Sequence, residues 1–123
     1  VGAAGGPKIV SAAVQALVNF IDFGLGVKGS VDAARLHCHG QEVEVESGIS
    51  TSVQSELSDM GHDVSKVERI ALLQMICKSA SGWEGASDPR GPGRASVLIE
   101  EEGRIVSRDF GYSNTEVYKG KQL

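Results

Sequence analysis

Aromatic side chains are scarce in this chain of 123 residues: one Trp, two Tyr and three Phe. The hydrophobic share is still 41% and the charged share 23%, so the composition remains that of an ordinary globular protein. A basic excess is absent as well. Twelve Lys and Arg stand against sixteen Asp and Glu, for a formal charge of −4, and no basic stripe is visible. That excludes a nucleic-acid binder of the usual kind. No apolar run is long enough to span a bilayer, because Ser11, Gln15, Asn19 and Asp22 interrupt the longest one, from Ile9 to Phe23. Cysteine is nearly missing. Cys38 and Cys77 can form one disulfide or none, and a pair of buried free thiols is the simpler expectation. The length suits one domain with a modest core.

What the chain does have begins with glycine. Val1 to Pro7 reads V-G-A-A-G-G-P, a tight turn, and Pro7 suits the first position of a helix. From Lys8 to Phe23 the polar residues recur every three or four positions, which predicts a helix buried over most of its circumference and stopped at Gly24. Ser30 is placed to cap a short helix over Val31 to His37. Glu42 to Glu46, E-V-E-V-E, alternates strictly, as a half-buried strand with its carboxylates in water does. Thr51 and Gln54 have capping-box spacing for a helix ended by Gly61, and a strand follows over Asp63 to Val67. Ile70 to Cys77 reads as a central strand covered on both sides. Gly85 to Gly93 reads as a loop, and Val97 to Ser107 as a hairpin turning at Glu102-Gly103. The tail beyond Tyr112 is polar. An α+β unit results, with two or three helices packed on a small, mainly antiparallel sheet.

Three groups of residues carry chemistry. Gly5 and Gly6 lack side chains, so their N–H groups can approach a carbonyl closely, at a helix N-terminus whose dipole favours negative charge. This suits an oxyanion, although a plain structural turn has the same pattern. His37, Cys38 and His39, with His62 and Cys77 as recruits, are metal-ligand types, but C-x-x-C and H-E-x-x-H are both absent. Hydrogen-bonded histidines at a helix end are the default reading, and no metal is expected. Asp88 and Arg90, on either side of Pro89 and beside Ser87, either bind a substrate carboxylate or pin the loop by an ion pair. The acidic runs Glu42 to Glu46 and Glu100 to Glu102 read as solvated faces.

Taken in order, these pieces resemble the C-terminal part of the γ-glutamyltransferase small subunit. The family's G-S-P-G-G is similar to Gly2-Ala3-Ala4-Gly5-Gly6, and its L-L-N-V-I-D-F-G-M to Leu17 through Leu25. Its V-D-A-P-R-F-H-H resembles Val31 through Cys38, its G-H is Gly61-His62, its strand glutamine is Gln74, and its G-A-S-D-P-R is Gly85 to Arg90. Ala3-Ala4 stands for Ser-Pro, Ala34 for proline and Cys38 for histidine. The matches cover residues 1–95; residues 96–123 form a hairpin and polar tail without a counterpart.

The resemblance implies an αββα sandwich of the N-terminal-nucleophile hydrolases, made by self-cleavage of a precursor. A new N-terminal threonine, outside this stretch, would take the γ-glutamyl group of glutathione or a related amide as an acyl-enzyme and pass it to water or an amino acid. Gly5 and Gly6 would hold the oxyanion. No cofactor is implied. The partners implied are the rest of the small subunit, the large subunit and a γ-glutamyl small molecule, in an extracytoplasmic compartment. Thr51 and Thr115 are internal and supply no free amine. Related acylases acting on β-lactam side chains or poly-γ-glutamate share the fold, and a non-catalytic module keeping the scaffold is the alternative from another class.

Overall fold

The computed structural model describes residues 1–80 and 82–110. The chain opens with a short strand, β1 (Gly2–Ala4), turns through Gly5, Gly6 and Pro7, and enters α1 (Lys8–Ile21). It continues as α2 (Gly26–Asp32), β2 (Leu36–His39), β3 (Glu42–Glu46), α3 (Thr51–Asp59), β4 (Asp63–Val67), β5 (Leu72–Ser79) and β6 (Gly82–Ser87). A hairpin of β7 (Ala95–Glu101) and β8 (Arg104–Phe110) follows. The expected α+β class is thus met, with three helices among the described residues.

The strands divide into separate small sheets rather than one. One is antiparallel with the order β1-β5-β6; a second has the order β2-β3-β4, with β3 and β4 parallel; the hairpin forms the third. The core lies between the helices and the first sheet. Ala12 and Ala16 of α1, Val27 and Val31 of α2, Leu73 and Met75 of β5 and Ala86 of β6 are all buried there. Alanines one turn apart let α1 approach the sheet closely. Gly24, at φ 63°, then lets the chain fold back so that the Leu25 N–H reaches the Asn19 carbonyl.

Several local expectations need correction. α1 is apolar nearly all round but buries only one stripe; Val10 and Ile21 are each 69% exposed, because no element of the described chain covers that side. The helix expected over Val31 to His37 is instead the end of α2 followed by β2. Ser30 Oγ donates back to the Gly26 carbonyl rather than capping, and Ala33 is already extended at ψ 140°. α3 is capped one residue earlier than the spacing suggested: Ser50 Oγ accepts from the Val53 N–H, and Gln54 donates to the Ile49 carbonyl. β5 is central but covered on one face only, with Leu73 and Met75 buried and Gln74 and Ile76 exposed. The loop expected from Gly85 starts three residues later, since β6 runs through Ser87. The strand over Asp63 to Val67 and the turn at Glu102-Gly103 are as expected; both turn residues have positive φ, 51° and 76°, as a type I′ hairpin requires. The tail beyond Tyr112 and Thr115 lie outside the described residues.

The first turn of the chain is held by sterics. Gly5 has φ 153°, and a Cβ added to it would lie 2.8 Å from both Cα and Cβ of Ala71, which precedes β5. Gly6 has φ 60°, and an added Cβ would meet nothing within 4 Å. The two glycines are therefore required for different reasons: Gly5 for space and conformation, Gly6 for conformation alone. Gly5→Ala is expected to lose about 3 kcal/mol or more of stability, and Gly6→Ala about 1–2 kcal/mol. Denaturant melts of the two variants measure the difference; equal midpoints would contradict the close approach to Ala71.

Candidate functional site

The amides of the glycine turn are the first element of the site. Gly5 and Gly6 are solvent-exposed, and their carbonyls accept from the Lys8 and Ile9 N–H groups to start α1. Among the described residues neither glycine N–H donates a hydrogen bond. Pro7 occupies the N-cap position, where no side chain caps the helix. Two N–H groups thus stand free at the positive end of a 14-residue helix. Such groups can receive a carbonyl oxygen that gains charge. A groove of about 630 Å³ opens on the far face of the same sheet, lined by Gly2, Gln74, Ile76, Trp83 and Leu98 among others; the glycine turn is not part of its lining.

Behind the turn lies a balanced cluster of four charges. Arg35 and Asp88 are each only 1% exposed, and Arg35 Nη2 donates to Asp88 Oδ2 at 2.8 Å. Arg90 donates to Asp88 Oδ1 at 3.1 Å and to Glu46 Oε2 at 2.7 Å. Every charge also holds backbone. Asp88 Oδ2 accepts from the Leu73 N–H at 2.8 Å. Glu46 accepts from the N–H groups of Arg35 and Ile70, at 3.0 and 2.7 Å. Arg35 Nη1 donates to the Ile70 carbonyl at 2.9 Å. Arg90 donates to the carbonyls of Val31, Asp32 and Ala33 at 2.9–3.2 Å, and Arg35 Nη2 also reaches Val31. These bonds satisfy the C-terminal carbonyls of α2, which is why that helix ends where one was expected to begin.

Burial pushes the Asp88 carboxyl upward, but the N–H groups of Leu73 and Arg90 and both guanidiniums outweigh it and hold it below the usual carboxylate range. For Arg90, burial alone would favour loss of the proton; the hydrogen bonds and charges of Glu46 and Asp88 reverse that and raise its affinity for the proton. Of the two roles open to Asp88 and Arg90, the structure places them in the pinning one.

The histidine and cysteine candidates do not converge. His37 is buried in β2 with Nδ1 2.8 Å from Ser11 Oγ, whereas Cys38 and His39 are exposed. They lie on a strand and not at a helix end. Cys38 Sγ donates to the Gly40 carbonyl, Cys77 is half-buried in β5, and both thiols are free, so the expectation of burial fails for Cys38. Among the described residues no three His, Cys, Asp or Glu are grouped to hold a metal. Nor is any helix there long and apolar enough to cross a membrane.

Two members of the charge cluster escaped the sequence reading. Glu46, the last residue of an alternating run, is 3% exposed rather than solvated, because the strand ends against Arg35, Ile70 and Arg90. Arg35 carried no signal beyond its place in the family-like segment. Glu44 is partly buried as well and pairs with Lys8 at 2.6 Å.

Helices packed on small sheets match the fold of solved gamma-glutamyltranspeptidases and a related acylase. The gamma-glutamyltranspeptidase from Pseudomonas nitroreducens complexed with L-DON superposes with a TM-score of 0.72 at 29% identity, over 80% of this chain and 54% of that one. The cephalosporin acylase from Bacillus halodurans gives 0.67 at 27% identity, over 72% of this chain and 18% of that one. The family profile for gamma-glutamyltranspeptidase matches residues 1–98. The glutathione hydrolase proenzyme of Escherichia coli strain K12 is 36% identical over an alignment of 92 residues that covers 72% of this chain and 16% of that protein. The chain belongs to the gamma-glutamyltranspeptidase family, and it spans about a sixth of the length of that curated relative.

The charge cluster generates a signed pH dependence. Since the Asp88 carboxyl is held low in the folded state, the unfolded chain takes up this proton first as pH falls. The stabilisation is full above about pH 5 and is lost as pH drops through the ordinary carboxylate value near 4 and below. Asp88→Asn leaves the buried Arg35 without its counter-charge and is expected to lose about 3 kcal/mol at neutral pH. Its urea midpoint is also expected to fall less steeply than wild type between about pH 5 and pH 3. Parallel pH profiles for the two proteins would contradict the assignment.

Proposed function

We propose that this chain is the C-terminal part of the small subunit of a γ-glutamyl transferase or hydrolase, and that it supplies the oxyanion site but not the nucleophile. In the complete parent a threonine hydroxyl outside this stretch attacks the amide carbonyl of glutathione or a related γ-glutamyl compound. The carbonyl oxygen takes the negative charge, the amine leaves with a proton, and the acyl-enzyme passes its γ-glutamyl group to water or an amino acid. Gly5 and Gly6 would donate to that oxygen. The observation carrying this reading is that both N–H groups stand without an acceptor, among the described residues, at the head of α1 inside the segment that the family profile covers.

The rest of the small subunit and the large subunit are the partners in this reading, in an extracytoplasmic setting. The exposed side of α1, with Val10, Val14 and Ile21, supports it, since such a stripe is normally covered. A second reading, an acylase acting on β-lactam side-chain amides, draws on the likeness to the cephalosporin acylase.

The test uses a γ-glutamyl anilide and a cephalosporin side-chain amide in parallel. The intact parent is expected to release the aniline, and the isolated 123-residue chain is not. An amide-to-ester replacement that deletes the Gly6 N–H in the parent is expected to lower kcat by about 10²–10³-fold with KM little changed. Turnover by the isolated chain, or an ester variant with wild-type kcat, would defeat the proposal; turnover of the cephalosporin amide alone would select the acylase.

A further inference from the structure

We infer that Arg35 and Asp88 are positioning residues for the glycine turn and act on it through Ala71; the inference rests on the oxyanion reading of Gly5 and Gly6. Ala71 is a non-glycine residue at φ 58°, a left-handed conformation that an L side chain disfavours. Such a conformation persists only where its surroundings over-determine it, and here they do. The Ile70 N–H is held by Glu46 Oε1 at 2.7 Å, and the Ile70 carbonyl by Arg35 Nη1 at 2.9 Å. Two residues after Ala71, the Leu73 N–H is held by Asp88 Oδ2 at 2.8 Å. The Arg35–Asp88 pair therefore grips the backbone on both sides of the left-handed alanine.

Ala71 in turn is the wall against which the turn rests. β1 pairs with β5 through Ala3↔Leu73 and Ala4↔Leu72, which brings the following residue, Gly5, alongside Ala71. The approach is so close that a Cβ on Gly5 would sit 2.8 Å from Ala71 Cα. Backbone lies directly on backbone, with no flexible side chain between them to absorb a shift. Should Ile70 lose its carbonyl partner, Ala71 is free to relax towards ordinary φ, and Gly5 loses its wall. The direction of the neighbouring N–H groups then changes, although neither arginine nor carboxylate touches substrate. Oxyanion donors tolerate little misplacement, so the consequence falls on the chemical step more than on substrate binding.

The experiment compares three variants of the intact parent. Arg35→Lys keeps the charge and removes the planar fork. Arg35→Met combined with Asp88→Leu replaces the buried pair by apolar groups of similar volume, a change that folded proteins often accept without loss of stability. Val43→Ala removes buried volume from β3, outside the charge cluster, and serves as the control for stability loss alone. Each is assayed with a γ-glutamyl anilide at a temperature where circular dichroism shows it folded. The amide resonances of Gly5 and Gly6 are followed by glycine labelling.

The expected result is a kcat at least about 10-fold lower, with KM within about 2-fold, for both Arg35 variants, while Val43→Ala keeps both constants. The glycine resonances move in the Arg35 variants and stay in place in Val43→Ala. A folded double variant with wild-type kcat and unmoved glycine resonances would overturn the inference. So would a loss shared equally by Val43→Ala. A wild-type parent without γ-glutamyl turnover would count against the functional reading alone, and the resonances would then decide whether the pair positions the turn.

Discussion

The mutual neutralisation of Arg35, Arg90, Glu46 and Asp88 in the interior is the interaction on which the rest of this structure depends. Each of these charges is costly to bury alone, and the four together are balanced. Their value lies less in net stability than in registry. Glu46 belongs to the β2-β3-β4 sheet, Asp88 follows the last strand of the β1-β5-β6 sheet, and the arginines close the end of α2. One cluster thus ties two sheets and a helix into a single geometry. Removing any member leaves a buried charge and several backbone groups without partners.

How much of this was legible in the sequence follows from the range of the forces involved. The glycine turn, α1, β4 and the Glu102-Gly103 turn are set by local rules: positive φ, helical spacing and alternation. Those were readable. The boundary between α2 and β2 was not, because carbonyls 31–33 are satisfied by an arginine at position 90, far along the chain. Alternation placed Glu46 in water, yet its carboxylate serves residues 35, 70 and 90. Ala71 gave no signal at all, since alanine does not announce a left-handed backbone. Of the candidate site, the paired glycines were visible and their wall was not.

The outer stripe of α1 and the outer face of β5 carry apolar side chains left open among the described residues. Val10 and Ile21 of α1 and Ile76 of β5 stay 63–69% exposed among the described residues, and the chain spans about a sixth of the length of its Escherichia coli relative. The burial expected from the sequence for α1 and for both faces of β5 is not met among the described residues.

The central claim is that the Gly5 and Gly6 N–H groups receive the charged oxygen of the reacting carbonyl. The most direct measurement is a crystal structure of the parent protein with a γ-glutamyl boronate, whose tetrahedral adduct carries an oxygen where the oxyanion forms. The account predicts that oxygen within about 2.7–3.1 Å of both glycine nitrogens. An adduct whose oxygens all lie more than about 4 Å from them, beyond hydrogen-bond reach, would contradict it.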